Sequence, residues 1–208
     1  SCGLARIPVY DKSERNKVRY RRSGLFAHEF AKTNPLVPLE DEGRLVDPRF
    51  RENFIVRVFS FSRLRSKLLD NKARPRDIVN FHTTHKFLLL AHSRKHYVAL
   101  GKIVAELKSK PWNRVLSSYI YSFMEALTFK TTPKKNTDVL LHMMGHLKKI
   151  ISKEEKKDIL EAIEDYRKEL IPLIVPVTLM RYQVKKHHIE YLLEQVYLNP
   201  HPKELMLR

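Results

Sequence analysis

Ten histidines are spread over the 208 residues, and four of them fall in one run from Asn80 to Tyr97, NFHTTHKFLLLAHSRKHY. They are His82, His85, His92 and His96. No Pro or Gly interrupts the run, so it reads as helix. On a helix, His85, Leu88/Leu89, His92 and His96 recur at spacings of three, four and seven, which mixes imidazoles with leucines on one stripe. His142 and His146 form a second pair four residues apart. Two histidines one helical turn apart are a geometry that zinc sites use. No Cys, Asp or Glu is placed to complete such a set, and His142-Met143-Met144-Gly145-His146 lacks the Glu of a metalloprotease helix. Two other readings stand beside the metal: imidazoles turned toward a phosphate or a base, and core histidines bonded to backbone carbonyls.

Cations make a second group: Lys130, Lys134, Lys135, Lys148, Lys149, Lys153, Lys156 and Lys157. Thr132-Pro133 reads as a helix start, which puts Lys134 and Lys135 in a first turn, where a cation opposes the helix dipole. A phosphate docked at that terminus would offset the cost. Tyr166, Tyr182, Tyr191 and Tyr197 lie among basic residues. They suit stacking on unpaired bases, or packing with the hydroxyl outward. No Gly-rich phosphate loop, nucleophile elbow or paired carboxylate site is present, so the residues alone describe a binding module.

Forty Lys and Arg against 23 Asp and Glu leave a net charge of +17. A surplus of that size implies an anionic partner, and a phosphate backbone is the commonest large one. Acidic lipid and a generic basic surface are the alternatives. A single Cys excludes an intrachain disulfide framework. No apolar run approaches the length of a membrane span, and no signal-peptide pattern opens the chain, so the expected compartment is the cytoplasm with no membrane partner.

The elements that position these residues are helices. Gly is scarce at 5. Ser1 to Arg22 is polar and basic, with Arg15, Lys17, Arg19, Arg21 and Arg22 close together, and reads as a flexible or ligand-facing segment. A short helix is expected over 23–32 with Ser23 as N-cap, ended by Asn34-Pro35. Asp47-Pro48 opens a helix to about residue 70. Pro75 restarts the pattern, with helices expected over 76–91, 94–109, 112–129, 133–151, 153–170, 178–186 and 189–197. Ser152 and Glu155 form a capping box, and Pro172 and Pro176 divide an apolar run. The fold class is therefore mainly α, a bundle of about six to eight helices, with a domain boundary near residue 70 that separates 1–70 from 71–208.

The second part resembles the YbgA-like domain, a domain of unknown function. The likeness is carried by His85 to Ser93 (HKFLLLAHS), Tyr97, Leu100-Gly101, Leu140 to Gly145 (LLHMMG), Tyr166 with Leu170 to Pro176 (LIPLIVP), and Gln195 to Pro200 (QVYLNP). The first 70 residues resemble the C-terminal part of a TudS-type thiouracil desulfidase domain, an α/β fold, through Ser1-Cys2-Gly3, Gly24-Leu25-Phe26, Glu42 to Leu45, Asp47-Pro48 and Arg51 to Phe54. The two together resemble RudS-type tRNA 4-thiouridine desulfidases. That resemblance implies a four-iron, four-sulfur cluster held by three cysteines, with Cys2 as a cluster and metal ligand and Ser1 as a catalytic residue. It also implies an upstream desulfidase half as partner and tRNA, or another nucleic acid, as the ligand of the helical part. One Cys cannot hold such a cluster alone, so the chain is expected to be a fragment of a longer protein or to work with a second chain.

The expected function is then the C-terminal portion of a tRNA 4-thiouridine desulfidase, with the helical domain gripping RNA through His85, Lys86, His92, Lys95, Lys134, Lys135, His142 and His146. A helical protein-interaction scaffold and a DNA-binding accessory domain are the alternatives.

Overall fold

The computed structural model describes residues 7–10, 18–22, 24–69, 73–205 and 207. Strand β1 (Ile7–Tyr10) pairs antiparallel with β2 (Val18–Arg22), Ile7 opposite Arg22, with an irregularity between Val9 and Tyr10. This pairing replaces the flexible segment expected there for the residues that are described. All later elements are helical. They are α1 (Leu25–Thr33), a 3-10 turn at Glu42–Val46, and α2 (Pro48–Leu64), which runs on as a π-helical turn at Arg65–Leu69. Then follow α3 (Pro75–His92), α4 (Arg94–Ala105), α5 (Trp112–Ala126), α6 (Pro133–Leu147), α7 (Lys153–Arg167), α8 (Ile174–Lys186) and α9 (Glu190–Leu193). Short 3-10 turns at Val196–Leu198 and Lys203–Leu205 finish the chain. The protein is mainly α, and α3 to α9 supply seven helices, within the expected six to eight.

The caps explain most boundaries. Asp47 accepts from Arg49 N at 2.8 Å ahead of Pro48, and Thr132 accepts from Lys135 N at 3.3 Å ahead of Pro133. The Ser152 hydroxyl accepts from Glu155 N, while Ser152 N donates back to Glu155 Oε2 at 2.9 Å. Each satisfies orphan N–H groups of a first turn. Helix α8 begins at Ile174, four residues before the expected start, because Pro176 falls in its first turn, where no N–H is required. Helices α7 and α8 both end on a non-Gly residue in the left-handed region, Glu169 (φ 60°) and His188 (φ 51°). The bonds from Leu170 N to Asp165 O and from Ile189 N to Val184 O close both ends in the same way.

Helix α3 is the centre of the bundle and packs on α4, α5, α6 and the Val196–Leu198 turn. Its Ile78, Leu88, Leu89 and Ala91 are almost wholly buried, with Leu100, Tyr119, Phe123, Leu140 and Met143 around them. Truncating one such leucine costs roughly 2–5 kcal/mol. The helix before the break at residue 70 shares this core through Val56, Leu64 and Leu68, and Asn53 Nδ2 donates to Leu127 O at 3.2 Å. Among the described residues, no helix is long and apolar enough to cross a membrane.

Candidate nucleic-acid interface

The histidines of the opening run face the core. His85 stacks on Phe81 with ring centroids 3.9 Å apart, and its Nδ1 donates to Phe81 O at 2.8 Å. Burial pushes its pKa down to about 3, so the ring is neutral. His92 Nδ1 donates to Phe129 O at 2.7 Å, which ties the end of α3 to the turn after α5. His85 and His92 are each only 2% exposed. The expectation that they turn toward an RNA is corrected. Packing of the leucine stripe carries the imidazoles inward with it, and carbonyls meet their N–H groups.

His92 and His96 are not two steps of one helix either. Ser93 (φ −153°, ψ 106°) breaks the chain between α3 and α4 and caps α4. Its hydroxyl sits 2.8 Å from His96 Nδ1, and His96 Nε2 lies 3.5 Å from Glu125 Oε2. His82 is half-buried, its Nδ1 3.3 Å from the Tyr119 hydroxyl, and burial followed by the charge of Lys86 lowers its pKa to about 4.

The lysines at the start of α6 divide. Lys134 is exposed, and it makes no ion pair among the described residues. Lys135 reaches across to donate to His92 O at 2.7 Å and Lys130 O at 2.9 Å, and burial lowers its pKa. His92 is the last residue of α3. The cation that opposes the dipole of its own helix therefore serves the negative end of another. Lys135 thus caps the end of α3 and ties it to the Lys130 carbonyl, whatever else it meets.

Three of the other expected residues, Lys86, His142 and His146, come together. Lys86, Arg94, His142 and His146 line a groove of about 140 Å³ together with Phe87 and Tyr97. Lys86 Nζ sits over the Tyr191 ring, 4.7 Å from its centroid. His146 packs its ring 5.2 Å from Tyr191, and partial burial together with Lys86 holds its pKa below the usual range. His142 is half out in solvent and donates to Asp138 O at 2.7 Å. Arg94 reaches Asp138 at 3.8 Å, linking α4 to α6. Lys134 lies one turn before Asp138 on the same side. Exposed Lys95, Lys148 and Lys149 lie nearby in sequence at the start of α4 and the end of α6, without ion pairs among the described residues. Gly145 lies between His142 and His146, exposed, and a Cβ placed on it would meet no atom within 4 Å.

A cavity of about 630 Å³ opens between α2, the end of α3, the start of α6 and the segment after α7. Its floor holds Asn136, whose Nδ2 donates to the Tyr166 hydroxyl at 3.0 Å and whose Oδ1 accepts from the Tyr197 hydroxyl at 3.1 Å. The signal available in the sequence was Asn136 itself, a poor helix former three residues before Val139, where the apolar face of α6 begins. Tyr166 and Tyr197 accordingly pack inward with their hydroxyls paired, while Tyr182 is exposed. Ser1 and Cys2 lie outside the described residues. Among those described, no group of three or more His, Cys, Asp or Glu could hold a metal ion. The sequence offers a single thiol, Cys2, and one thiolate does not hold an iron–sulfur cluster by itself.

Comparison with known proteins covers the part that carries this face. The family model described as "Protein of unknown function (DUF1722)" matches residues 86–202, more than half of the chain. The chain belongs to the DUF1722 family. It is also 24% identical over 163 residues to the "Uncharacterized protein YbgA" of Escherichia coli (strain K12), an alignment that covers 77% of this chain and 95% of that protein. No solved structure matches. The DUF1722 region takes in the groove residues from Lys86 onward, the Asn136–Tyr166–Tyr197 network and α4 to α9. Its match supports the YbgA-like resemblance of the helical part.

Proposed function

We propose that this DUF1722 protein binds RNA, with tRNA as the expected ligand, across the face made by the start of α4 and the exposed side of α6. The observation that carries the reading is the convergence of Lys86, Arg94, His142 and His146 on one groove, with exposed Lys nearby that no carboxylate pairs among the described residues. Each exposed Lys that meets a phosphate releases a counterion, and a net charge of +17 supplies long-range attraction. Tyr97 and Tyr191 beside the groove offer ring faces to an unstacked base. Within the same proposal the chain works with a desulfidase half, on its own polypeptide or another. That half would supply the two further thiolates, with Cys2 as the third and Ser1 beside it, for removal of sulfur from 4-thiouridine. Leu25 (85% exposed) and Phe26 (67% exposed) on α1 support a covering segment there.

Gel retardation of tRNA at two salt concentrations tests the binding step. Affinity is expected to fall steeply with salt, by about one decade or more between 50 and 200 mM for several phosphate contacts. Lys86→Glu with Lys95→Glu is expected to abolish retardation while leaving the helical circular dichroism intact. Equal retardation by the double variant removes this face from the proposal, and duplex DNA as competitor separates the RNA reading from a DNA one.

A further inference from the structure

Along the N-terminal half of α3, away from the groove near its other end, a second cavity of about 930 Å³ lies between the end of α2, the first turns of α3 and the segment after α9. Among the described residues its wall carries four cations, Arg63, Lys67, Arg74 and Arg76, against two carboxylates, Asp77 and Glu194. Asp77 is already committed. Its Oδ2 accepts from Arg74 N at 2.8 Å and its Oδ1 lies 3.8 Å from Arg76 Nε. Two atoms of this wall are anomalous. Arg63 donates through Nη2 to Asn199 O at 3.4 Å, but its buried Nη1 has no partner among the described residues. His85, 2% exposed, likewise has a buried Nε2 with no partner among those residues. Since Nδ1 of that ring donates to Phe81 O, Nε2 is left as an acceptor. A buried donor and a buried acceptor left without partners each cost free energy unless a ligand meets them.

We infer that this cavity is a binding site for a phosphate monoester that also carries hydroxyl groups, as a nucleoside monophosphate does. A phosphate dianion matches the surplus of two positive charges among the described residues of the wall, four cations less two carboxylates. Guanidinium groups bind its oxygens in paired N–H bonds, which favours Arg63, Arg74 and Arg76 over a lysine-only patch. A ligand hydroxyl satisfies His85 Nε2, and Asn80, Thr83 and Thr84 on the same wall offer further polar contacts. The first turn of α3 adds the positive end of its dipole. The same monoester occurs in a free nucleotide and at a 5′-phosphorylated RNA end, and the site is separate from the α4/α6 face.

Isothermal titration with uridine monophosphate and adenosine monophosphate tests the site on the full chain. Saturable binding is expected, with inorganic phosphate competing and the unphosphorylated nucleosides at least 10-fold weaker. Arg74→Gln with Arg76→Gln, both exposed, is expected to weaken binding about 10-fold or more, and Arg63→Met to abolish it. If Arg63→Met fails to fold, the exposed pair decides alone. A 5′-phosphorylated RNA oligonucleotide that outcompetes the same oligonucleotide with a 5′-hydroxyl assigns the site to RNA ends. Equal competition by the two assigns it to free nucleotides. No saturation up to millimolar nucleotide together with equal binding of the two oligonucleotides overturns the inference, as does unchanged affinity in the double variant. The groove proposal survives that result, because salt-sensitive tRNA retardation is read on other residues.

Discussion

His92/His96 and His142/His146 have the same spacing in sequence and opposite fates in the fold. The first pair straddles a helix break at Ser93 and is buried, each ring held by a specific partner across an element boundary. The second pair lies on one unbroken helix, exposed beside Lys86 and Arg94. The same contrast separates Lys135, drawn onto the end of α3, from Lys134, left in solvent. Spacing defines which residues share a face of a helix. Only packing decides whether that face meets the core or the surroundings, and the chemistry changes with the answer.

The sharpest way to break this contrast is truncation. His92→Ala removes the donor to a backbone carbonyl and opens a cavity next to Leu88 and Leu89. It is expected to cost about 3 kcal/mol, a fall in Tm of roughly 10 °C for a chain of this size. His142→Ala is expected to stay within about 0.5 kcal/mol. Urea unfolding of both variants measures the difference. Equal losses would mean that the exposed pair is also structural.

Acid gives the next largest effect. His82 and His85 have pKa values pushed down to about 4 and about 3 in the folded chain, against about 6.5 when unfolded. Between pH 6.5 and 4 the unfolded chain takes up protons at these positions and the folded chain does not. Stability therefore falls as pH drops through that window, and is fully present above it. The urea midpoint is expected to decline from pH 7 to 4.5, and His82→Gln to flatten part of that slope. An unaltered slope in the variant would show that His82 takes up its proton equally in the folded and unfolded chain.

Lysine truncation is smaller. Lys135→Ala leaves His92 O and Lys130 O without their donor and is expected to cost about 1–2 kcal/mol. Lys134→Ala is expected to leave stability within about 0.5 kcal/mol and to weaken RNA retardation instead. Thermal melts and retardation gels read the two outcomes independently, and a reversal of the pattern would exchange their roles.

Local rules made most helices legible, because Asp47-Pro48, Pro75, Thr132-Pro133 and the Ser152/Glu155 box each determine a terminus through groups within four residues. Side-chain partners distant in sequence were not legible. Lys135 meets a carbonyl 43 residues away, and the hydroxyl of Tyr197 meets Asn136 61 residues away. The mixed stripe of α3 was ambiguous for a related reason. The helix is buried on most of its circumference, so hydrophobic periodicity does not mark an outer face on which a ligand-binding histidine would stand out. The strands β1 and β2 escaped because Arg-rich segments read as unstructured, although backbone pairing needs no apolar side chains.

Gly145 offers the smallest effect and the closest test of the exposed pair. An exposed glycine inside a helix costs up to about 1 kcal/mol relative to alanine. At this position a methyl group meets nothing within 4 Å, so no internal contact requires the glycine. Gly145→Ala is therefore expected to stabilise the chain by about 0.5–1 kcal/mol in urea unfolding. If an RNA backbone lies against α6 between His142 and His146, the same methyl group stands in its path and retardation should weaken several-fold while stability rises. A gain in stability with unchanged RNA affinity would place the ligand away from this turn of α6 and leave Lys86 and Lys95 as its markers. A loss of stability would mean that the open space beside Gly145 is filled by chain that packs there.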